Sequence, residues 1–184
     1  MIDIRKYKIA EETKGYFLAV GRLIPYKKFD LIIDTFNQTG LPLKIVGTGN
    51  AENELRQKAK GNIEFLGFVS DKELQTLYSE AEALIFPQLE DFGIVPLEAM
   101  ASGRPVIAYG KGGALDTVID NETGILFKEQ TELHLKTAVE KYLKNKDKFN
   151  PQAIRAHAEK FDQKQFKKNL LNFIQEKWEK WQTK

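Results

Sequence analysis

The chain has 184 residues, 42% of them hydrophobic and 29% charged, with a formal net charge of +2 and no cysteine. This length suits one compact domain and argues against a second full domain, and the near balance of charge argues against nucleic acid as the main ligand. The lack of cysteine excludes disulfides, thiolate metal sites and cysteine nucleophiles, and no apolar run approaches the ~20 residues that span a bilayer. We therefore expect a cytoplasmic protein.

Six short apolar segments predict strands that are buried on both faces. They are 16–20 (YFLAV), 43–46 (LKIV), 63–66 (IEFL), 83–86 (ALIF), 105–109 (PVIAY) and 124–127 (GILF). Between them, apolar residues spaced three and four apart predict helices, most clearly around 29–36, 74–78 and 133–143. This alternation predicts an α/β fold, a single Rossmann-like domain with a six-stranded parallel sheet and helices on both faces.

Ligands of such sheets bind at the carboxyl ends of the strands, here called the carboxyl edge. Glycine follows most of the predicted strands, beginning with Gly21 and Gly47. It permits a positive backbone φ and lets an anion approach the amides of a helix N-terminus. Because parallel α/β folds also use glycine simply to turn corners, one such turn favours neither reading, whereas several on one edge favour phosphate binding.

Two cations lie beside the first of these turns. Arg22 follows Gly21, and Lys27 comes five residues later, just before the first predicted helix. A guanidinium fork and an ammonium together can neutralise a diphosphate. The alternative is that both are ordinary solvated cations, since the chain has 28 lysines and arginines. Lys28 is not expected to share the role, because successive helical residues point about 100° apart.

Two acids, Glu90 and Glu98, follow the fourth predicted strand. Glu90 lies in the loop, and Glu98 lies early in a helix that begins near Ile94. Carboxylates on an edge with exposed amides suit the paired hydroxyls of a sugar and a ribose. A sugar nucleotide offers both, together with a diphosphate. The alternative for Glu98 is an acid in the first helical turn that is stabilised by the helix dipole.

Four segments resemble successive blocks of the donor-binding, C-terminal half of family 4 (group 1) glycosyltransferases, which have the GT-B fold. They are 16–33, 41–55, 63–108 and 112–127, and they contain the family's pattern of Glu, seven residues, Glu as Glu90 and Glu98. The stretch YGKGGALDTVID, residues 109–120, resembles the mannosyltransferase branch that uses GDP-mannose. The resemblance runs from about Ile4 to the end of the chain.

The resemblance implies a role for each matching residue. Arg22 and Lys27 would hold the donor diphosphate, Glu90 would face the hydroxyls of the transferred sugar, and Glu98 would bind the ribose. The candidate catalytic residues are Arg22, Lys27 and Glu90. The candidate donor-binding residues are Gly21, Gly47, Val69, Phe92, Gly93, Ile94, Val95 and Glu98.

The resemblance also implies the reaction: transfer of a hexose to a glycan or lipid-linked acceptor, with retention at the anomeric carbon. We expect a nucleoside-diphosphate sugar as substrate, with GDP-mannose favoured and a UDP-sugar as the alternative. No Asp-x-Asp motif occurs in the sequence. We therefore expect no cofactor and no metal site, because the cationic pair would stabilise the leaving diphosphate in place of a metal ion.

The family pattern divides the chain into an interdomain linker at 1–14, a donor-binding domain at 15–160 and a crossover helix at 161–184. Enzymes of this family have a second, N-terminal domain with the acceptor site and a catalytic histidine. We expect that domain as a partner and expect the isolated chain to be inactive. His134 and His157 are expected at the surface, in late and charged helical segments.

The last predicted helix has one apolar stripe. It consists of Phe166, Leu170, Phe173, Ile174, Trp178 and Trp181. Seven lysines and three acids lie between residues 160 and 184. We expect the first half of the stripe to pack on its own domain and the two tryptophans to cross to the second domain. Dimer contacts and peripheral association with anionic lipid at the inner face of the membrane are the alternatives, and the oligomeric state stays open.

Two other functions remain as alternatives at this point. One is a non-catalytic sugar-nucleotide binding subunit that serves a separate acceptor subunit. The other is a sugar-nucleotide epimerase on the same fold, against which the absent second domain and histidine argue.

Overall fold

Six short strands form one parallel sheet in the computed structural model, which describes residues 1–182. The strands are β1 (Phe17–Val20), β2 (Leu43–Val46), β3 (Ile63–Gly67), β4 (Leu84–Phe86), β5 (Val106–Tyr109) and β6 (Gly124–Phe127). Each neighbouring pair is parallel, and their order is β3-β2-β1-β4-β5-β6. The predicted fold class is confirmed, and each predicted strand overlaps an observed one.

Helices cover both faces of this sheet. They are α1 (Phe29–Thr39), α2 (Glu52–Lys58), α3 (Asp71–Glu80), α4 (Ile94–Ala101), α5 (Ala114–Thr117), α6 (Glu132–Lys144), α7 (Pro151–Glu159) and α8 (Gln163–Gln182). On one face α1 packs against α2 and α6, and on the other α4 packs against α3, α5 and α7. Because β4 and β5 lie under both layers, every one of their residues is buried.

The strand order reverses between β1 and β4, which are neighbours in the sheet although β2 and β3 separate them in the chain. The connection after β1 runs to one side of the sheet and the connection after β4 runs to the other. Such a switch point opens a crevice between the two loops at the carboxyl edge. The loops at 21–28 and 87–93 therefore face each other there.

The N-terminal segment packs onto the domain. Ile2 and Tyr7 are buried, and a short 3₁₀ helix covers Ile4–Lys6. The guanidinium of Arg155, on α7, donates hydrogen bonds to the carbonyls of Ile4 at 3.0 Å and Tyr7 at 2.8 Å. The start of the predicted interdomain linker, residues 1–14, is thus tied to α7 by the side chain of Arg155, which binds the backbone carbonyls of Ile4 and Tyr7.

Helix α8 extends away from the domain, and none of its residues is buried. The prediction that the first half of its apolar stripe packs on its own domain is wrong, because Phe166 is 41% exposed and Leu170 43%. Trp178 and Trp181 stack on each other with ring centroids 5.2 Å apart. The last two residues of the predicted crossover helix, 183–184, lie outside the described residues. Within residues 1–182, no helix combines the length and the apolar character needed to cross a membrane.

The two histidines lie in different surroundings. His134 lies at the start of α6 with its side chain 37% exposed, as expected of a surface residue. The surface prediction for His157 is wrong. Its ring is partly buried, with Nε2 2.9 Å from the carbonyl oxygen of Thr117, and it packs edge-on against Phe161. This ring joins α7 to α5.

Candidate functional site

Lys27 and Glu90 meet across the crevice between β1 and β4. Lys27 ends a 3₁₀ helix at Pro25–Lys27, and its ammonium donates to Glu90 Oε1 from the facing loop. Their side chains are 16% and 24% exposed. These residues line a cleft of about 370 Å³, here called the Lys27 cleft. It is completed by Phe86, Asp91, Phe92, Gly93, Ile94 and Val95.

The loop that carries Glu90 is fixed by the loop after β5. The amide of Gly113 donates to the carbonyl of Glu90 at 2.8 Å. A Cβ atom at Gly113 would lie 2.4 Å from Phe92 Cα, so a larger residue would push the two loops apart. Sequence reasoning did not assign Gly113 a role, although the adjacent glycines of GKGG were its signal. The backbone of one loop therefore sets the position of the acid on the other.

The first turn of α4 forms one wall of the Lys27 cleft. Gly93 is its N-cap residue, and Ile94 and Val95 follow as the first helical positions. The first four amides of an α-helix have no partner within the helix, and the helix dipole adds partial positive charge there. This wall can bind an anion through backbone donors, next to the ammonium of Lys27.

Arg22 lies on the same edge without joining the Lys27–Glu90 pair. Its side chain is exposed, and it is not among the residues that line the Lys27 cleft. The backbone around it is fixed, since the amide of Gly21 donates to Val46 and that of Leu23 donates to Thr48, each at 3.0 Å. An exposed arginine side chain has several rotatable bonds, so it can reach toward an anion in the cleft.

Gly47 has a structural reason to be glycine. A Cβ atom there would lie 1.9 Å from the carbonyl oxygen of Gly21. The loops after β1 and β2 therefore pack backbone against backbone, and this contact alone requires glycine. The predicted roles of Gly21 and Gly47 in donor binding stay predictions.

Glu98 lies in the second turn of α4, so the alternative of a first-turn acid is wrong: that turn has no acidic residue. Its two carboxylate oxygens accept hydrogen bonds from Tyr7 at 2.9 Å and Tyr78 at 2.8 Å. Glu98 borders a cavity of about 130 Å³, here called the Glu98 cavity. Its other lining residues are Lys6, Tyr7, Asp71, Leu74 and Gln75.

The structure therefore places the two candidate acids in neighbouring but separate hollows. Glu90 faces the Lys27 cleft, and Glu98 faces the Glu98 cavity, about one turn further along α4 than the Ile94 and Val95 that line the cleft. Val69 lies two residues before Asp71, in the loop after β3, and so belongs to the side of Glu98. A ligand that used both acids would have to be long and to pass over the start of α4.

Both tyrosines remain hydrogen-bond donors. Burial raises the pKa of Tyr7 and of Tyr78 well above the ordinary value for a phenol. The negative charge of Glu98 and the hydrogen bond to it raise the pKa further. The phenols therefore stay protonated at any pH at which proteins are stable. Sequence reasoning missed this network, because Tyr78 fits the apolar helical pattern and Tyr7 lies 91 residues from Glu98.

Within residues 1–182, no group of three or more His, Cys, Asp or Glu side chains is arranged to hold a metal ion. The charged groups that line the two hollows are the ammonium groups of two lysines and the carboxylates of four acids, beside the backbone amides at the start of α4. This set suits a ligand with phosphate groups and vicinal hydroxyls.

The fold resembles that of solved GT-B glycosyltransferases. An Anabaena protein, Alr3699/HepE, crystallised in complex with UDP and glucose, superposes with a TM-score of 0.82 and 22% identity. The superposition covers 95% of this chain and 55% of that one. At this identity the likeness concerns the fold.

Curated relatives match at higher identity. A glycosyltransferase of Methanocaldococcus jannaschii, MJ1178, is 31% identical over 142 residues, which are 74% of this chain and 40% of that protein. A GDP-mannose-dependent alpha-(1-6)-phosphatidylinositol monomannoside mannosyltransferase of Mycobacterium tuberculosis is 30% identical over 162 residues, 78% of this chain and 42% of that protein. The chain thus spans less than half the length of either relative.

The family of glycosyl transferases group 1 matches residues 2–165, which include both hollows and the glycine turns around them. By this match and by its relatives, the chain belongs to the group 1 glycosyl transferases.

Proposed function

We propose that the chain is the donor-binding domain of a retaining glycosyltransferase that moves a hexose, with mannose favoured, from a nucleoside-diphosphate sugar to a glycan or lipid-linked acceptor. The observation that carries the proposal is the contact between Lys27 and Glu90 at the switch point of the sheet, beside the first turn of α4. The mannosyltransferase relative supports the sugar, and the UDP-bound neighbour supports the substrate class.

The donor would lie across the start of α4. Its diphosphate would take the ammonium of Lys27 and the amides of Phe92–Ile94, and Arg22 would swing in from the exposed loop. A sugar hydroxyl would then replace Lys27 as the donor to Glu90. Fixed donors next to the leaving diphosphate stabilise the charge that develops as the glycosidic bond breaks. A metal ion would not be required for that step.

The nucleoside would lie one turn further along α4, at the Glu98 cavity. Glu98 would accept the hydroxyls of the ribose, and the backbone near Val69 would meet the base. This arrangement leaves the base choice to backbone contacts, which is why GDP and UDP both remain candidates. The order sugar, diphosphate and ribose matches the order Glu90, α4 start and Glu98 in the structure.

The rest of the enzyme would be an N-terminal acceptor domain that closes over the carboxyl edge. In this proposal α8 crosses to that domain and buries the exposed stripe that includes Trp178 and Trp181. Transfer then requires both domains, and the isolated chain binds the donor without turning it over. The cytoplasm, where nucleotide sugars are available, is the proposed location.

The test is isothermal titration of the chain with GDP, UDP, GDP-mannose and UDP-glucose. We expect Lys27→Ala to weaken the best ligand about tenfold or more, as for loss of a hydrogen bond to a charged group, and to leave Glu90 uncompensated. Lys28→Ala is the matched control, because Lys28 lines a different cavity beside Phe29.

Unchanged affinity in both Lys27→Ala and Arg22→Ala would contradict the diphosphate assignment, and preference for UDP would contradict mannose as the sugar.

A further inference from the structure

Two tyrosines from distant parts of the chain hold the carboxylate of Glu98 from two directions. Tyr7 comes from the N-terminal segment and bonds Oε1, whereas Tyr78 comes from α3 and bonds Oε2. Both phenols are buried, and Tyr78 is only 1% exposed. Their rings pack edge to face with centroids 6.4 Å apart. Each tyrosine therefore stabilises the position of the other as well as that of the acid.

This arrangement fixes the plane of the carboxylate. A glutamate side chain on a helix surface has several rotatable bonds, and a ligand that uses it must normally order it. Here one phenol on each oxygen removes that freedom before any ligand arrives, which lowers the cost of binding. The acid is held in one orientation by groups that do not themselves need to touch a ligand.

The tethered carboxylate keeps room for two more donors. Each oxygen of an ionised carboxylate has two lone pairs, so two phenols leave about one acceptor site on each oxygen. Glu98 is only partly buried and borders the Glu98 cavity. Two free acceptor sites in one fixed plane match a pair of adjacent hydroxyls, as on a ribose.

We propose that Tyr7 and Tyr78 are positioning residues that preset Glu98 for the vicinal hydroxyls of a ribose, and that they set the preference of the site for ribonucleotides. The inference rests on the proposed function, because it takes Glu98 as the ribose-binding acid. It adds two residues and a source of specificity to that function. The phenols act through Glu98 and have no contact with the reacting atoms.

The experiment compares GDP with 2′,3′-dideoxy-GDP, and UDP with its dideoxy analogue, by titration of the full chain. We expect Tyr7→Phe and Tyr78→Phe each to weaken the ribonucleotide about three- to tenfold and to leave the dideoxy analogue within about twofold, because the ribose hydroxyls must then order a carboxylate that has lost one of its two tethers. The ratio of the two affinities is the informative quantity, since a general loss of structure would weaken both ligands equally.

Tyr142→Phe is the matched control. Its phenol is also buried and also contacts a glutamate, donating to the carbonyl and Oε2 of Glu82 at 2.9 and 3.2 Å. Glu82 lies just before β4, at the opposite edge of the sheet. This variant should keep the ratio of the wild type. Thermal unfolding followed by circular dichroism shows whether each variant is folded, and Tyr7→Phe provides a second arm if Tyr78→Phe is not.

The outcomes separate the inference from the function on which it rests. If Glu98→Gln abolishes the preference for the ribonucleotide but both tyrosine variants keep it, the tyrosines do not position the acid and the inference fails alone. Equal weakening of the ribonucleotide and the dideoxy analogue by the tyrosine variants would also overturn the inference. Tighter ribonucleotide binding by Tyr7→Phe would overturn it too, because it would show that the phenol competes with the ligand.

If the wild type binds neither GDP nor UDP, or does not distinguish either from its dideoxy analogue, the ribose assignment in the proposed function is wrong.

Discussion

Single residues at the carboxyl edge show how a partly buried charge is tolerated. The ammonium of Lys27 and the carboxylate of Glu90 satisfy each other across the crevice, where both side chains are partly buried. Removing one partner of such a pair costs more than the pair contributes, because the remaining charge is left without compensation. The loss of binding in Lys27→Ala will therefore include a penalty from Glu90, and a cycle with Glu90→Gln and the double variant separates the two contributions.

Gly113 offers a sharp test of the packing between the two loops. We expect Gly113→Ala to lower the free energy of unfolding by about 1–3 kcal/mol, as for overpacking, and to weaken nucleotide binding, because the loop of Glu90 must move. Chemical denaturation and titration with GDP measure the two effects. Gly61→Ala is the control, since a Cβ atom there meets nothing within 4 Å. Equal stability of the two variants would show that the contact between the loops yields without cost.

Among the elements, α8 differs from the other helices because its apolar side chains have no cover from the domain. Its stripe follows the helical period, yet Phe173, Ile174 and Trp178 are all more than half exposed. Apolar periodicity predicts which residues share one face of a helix, but it does not predict which part of the protein covers that face. For α1 and α6 the cover is the sheet, whereas for α8 it lies outside the domain in the proposed enzyme.

The tryptophans make this difference measurable, because the chain has only two and both lie on α8. We expect the isolated chain to show the long-wavelength emission of exposed indoles and strong quenching by acrylamide. On addition of the proposed acceptor domain the emission should move to shorter wavelength and quenching should fall. Protected, short-wavelength emission from the chain alone, rising with its concentration, would instead indicate a dimer through α8.

The buried part of the domain ends with α7. Ile154 and Ala158 of α7 are fully buried, and Arg155 ties α7 to the N-terminal segment. By contrast no side chain of α8 is buried. Burial of apolar surface is the main source of stability, so the two helices should contribute very differently to folding.

Truncation tests that division. We expect a chain of residues 1–166 to unfold cooperatively with a midpoint within a few degrees of the full chain, because it loses almost no buried area. A chain of residues 1–150, which lacks α7, should be much less stable or unfolded. Thermal unfolding followed by circular dichroism distinguishes the two. A large loss of stability in 1–166 would mean that α8 packs on the domain in solution.

Strands and edge residues of this chain are predictable from the sequence, whereas contacts between distant segments are not. All six strands were predictable, since short runs such as LKIV at 43–46 are apolar throughout and alternate with helical periods. Lys27 and Glu90 were predicted on one edge because the carboxyl ends of parallel strands share it. The bonds from Tyr7 and Tyr78 to Glu98 were not, since side-chain pairing between distant segments leaves no periodic signal. The contact between Gly113 and the loop of Glu90 was not predicted either, because it depends on which two loops become neighbours in the fold.

The ends of the domain lie side by side. Ile2 forms a bridge with Asp162, and the amide of Gln163 donates to the carbonyl of Ile2 at 2.9 Å. A polypeptide joined ahead of Met1 would therefore leave the domain next to the first residue of α8. Two connections that pass through one small area act as a single pivot, so an attached domain could rock over the carboxyl edge while neither connection is stretched. In the proposed enzyme, opening and closing of the Lys27 cleft would then be a rotation about Ile2 and Gln163.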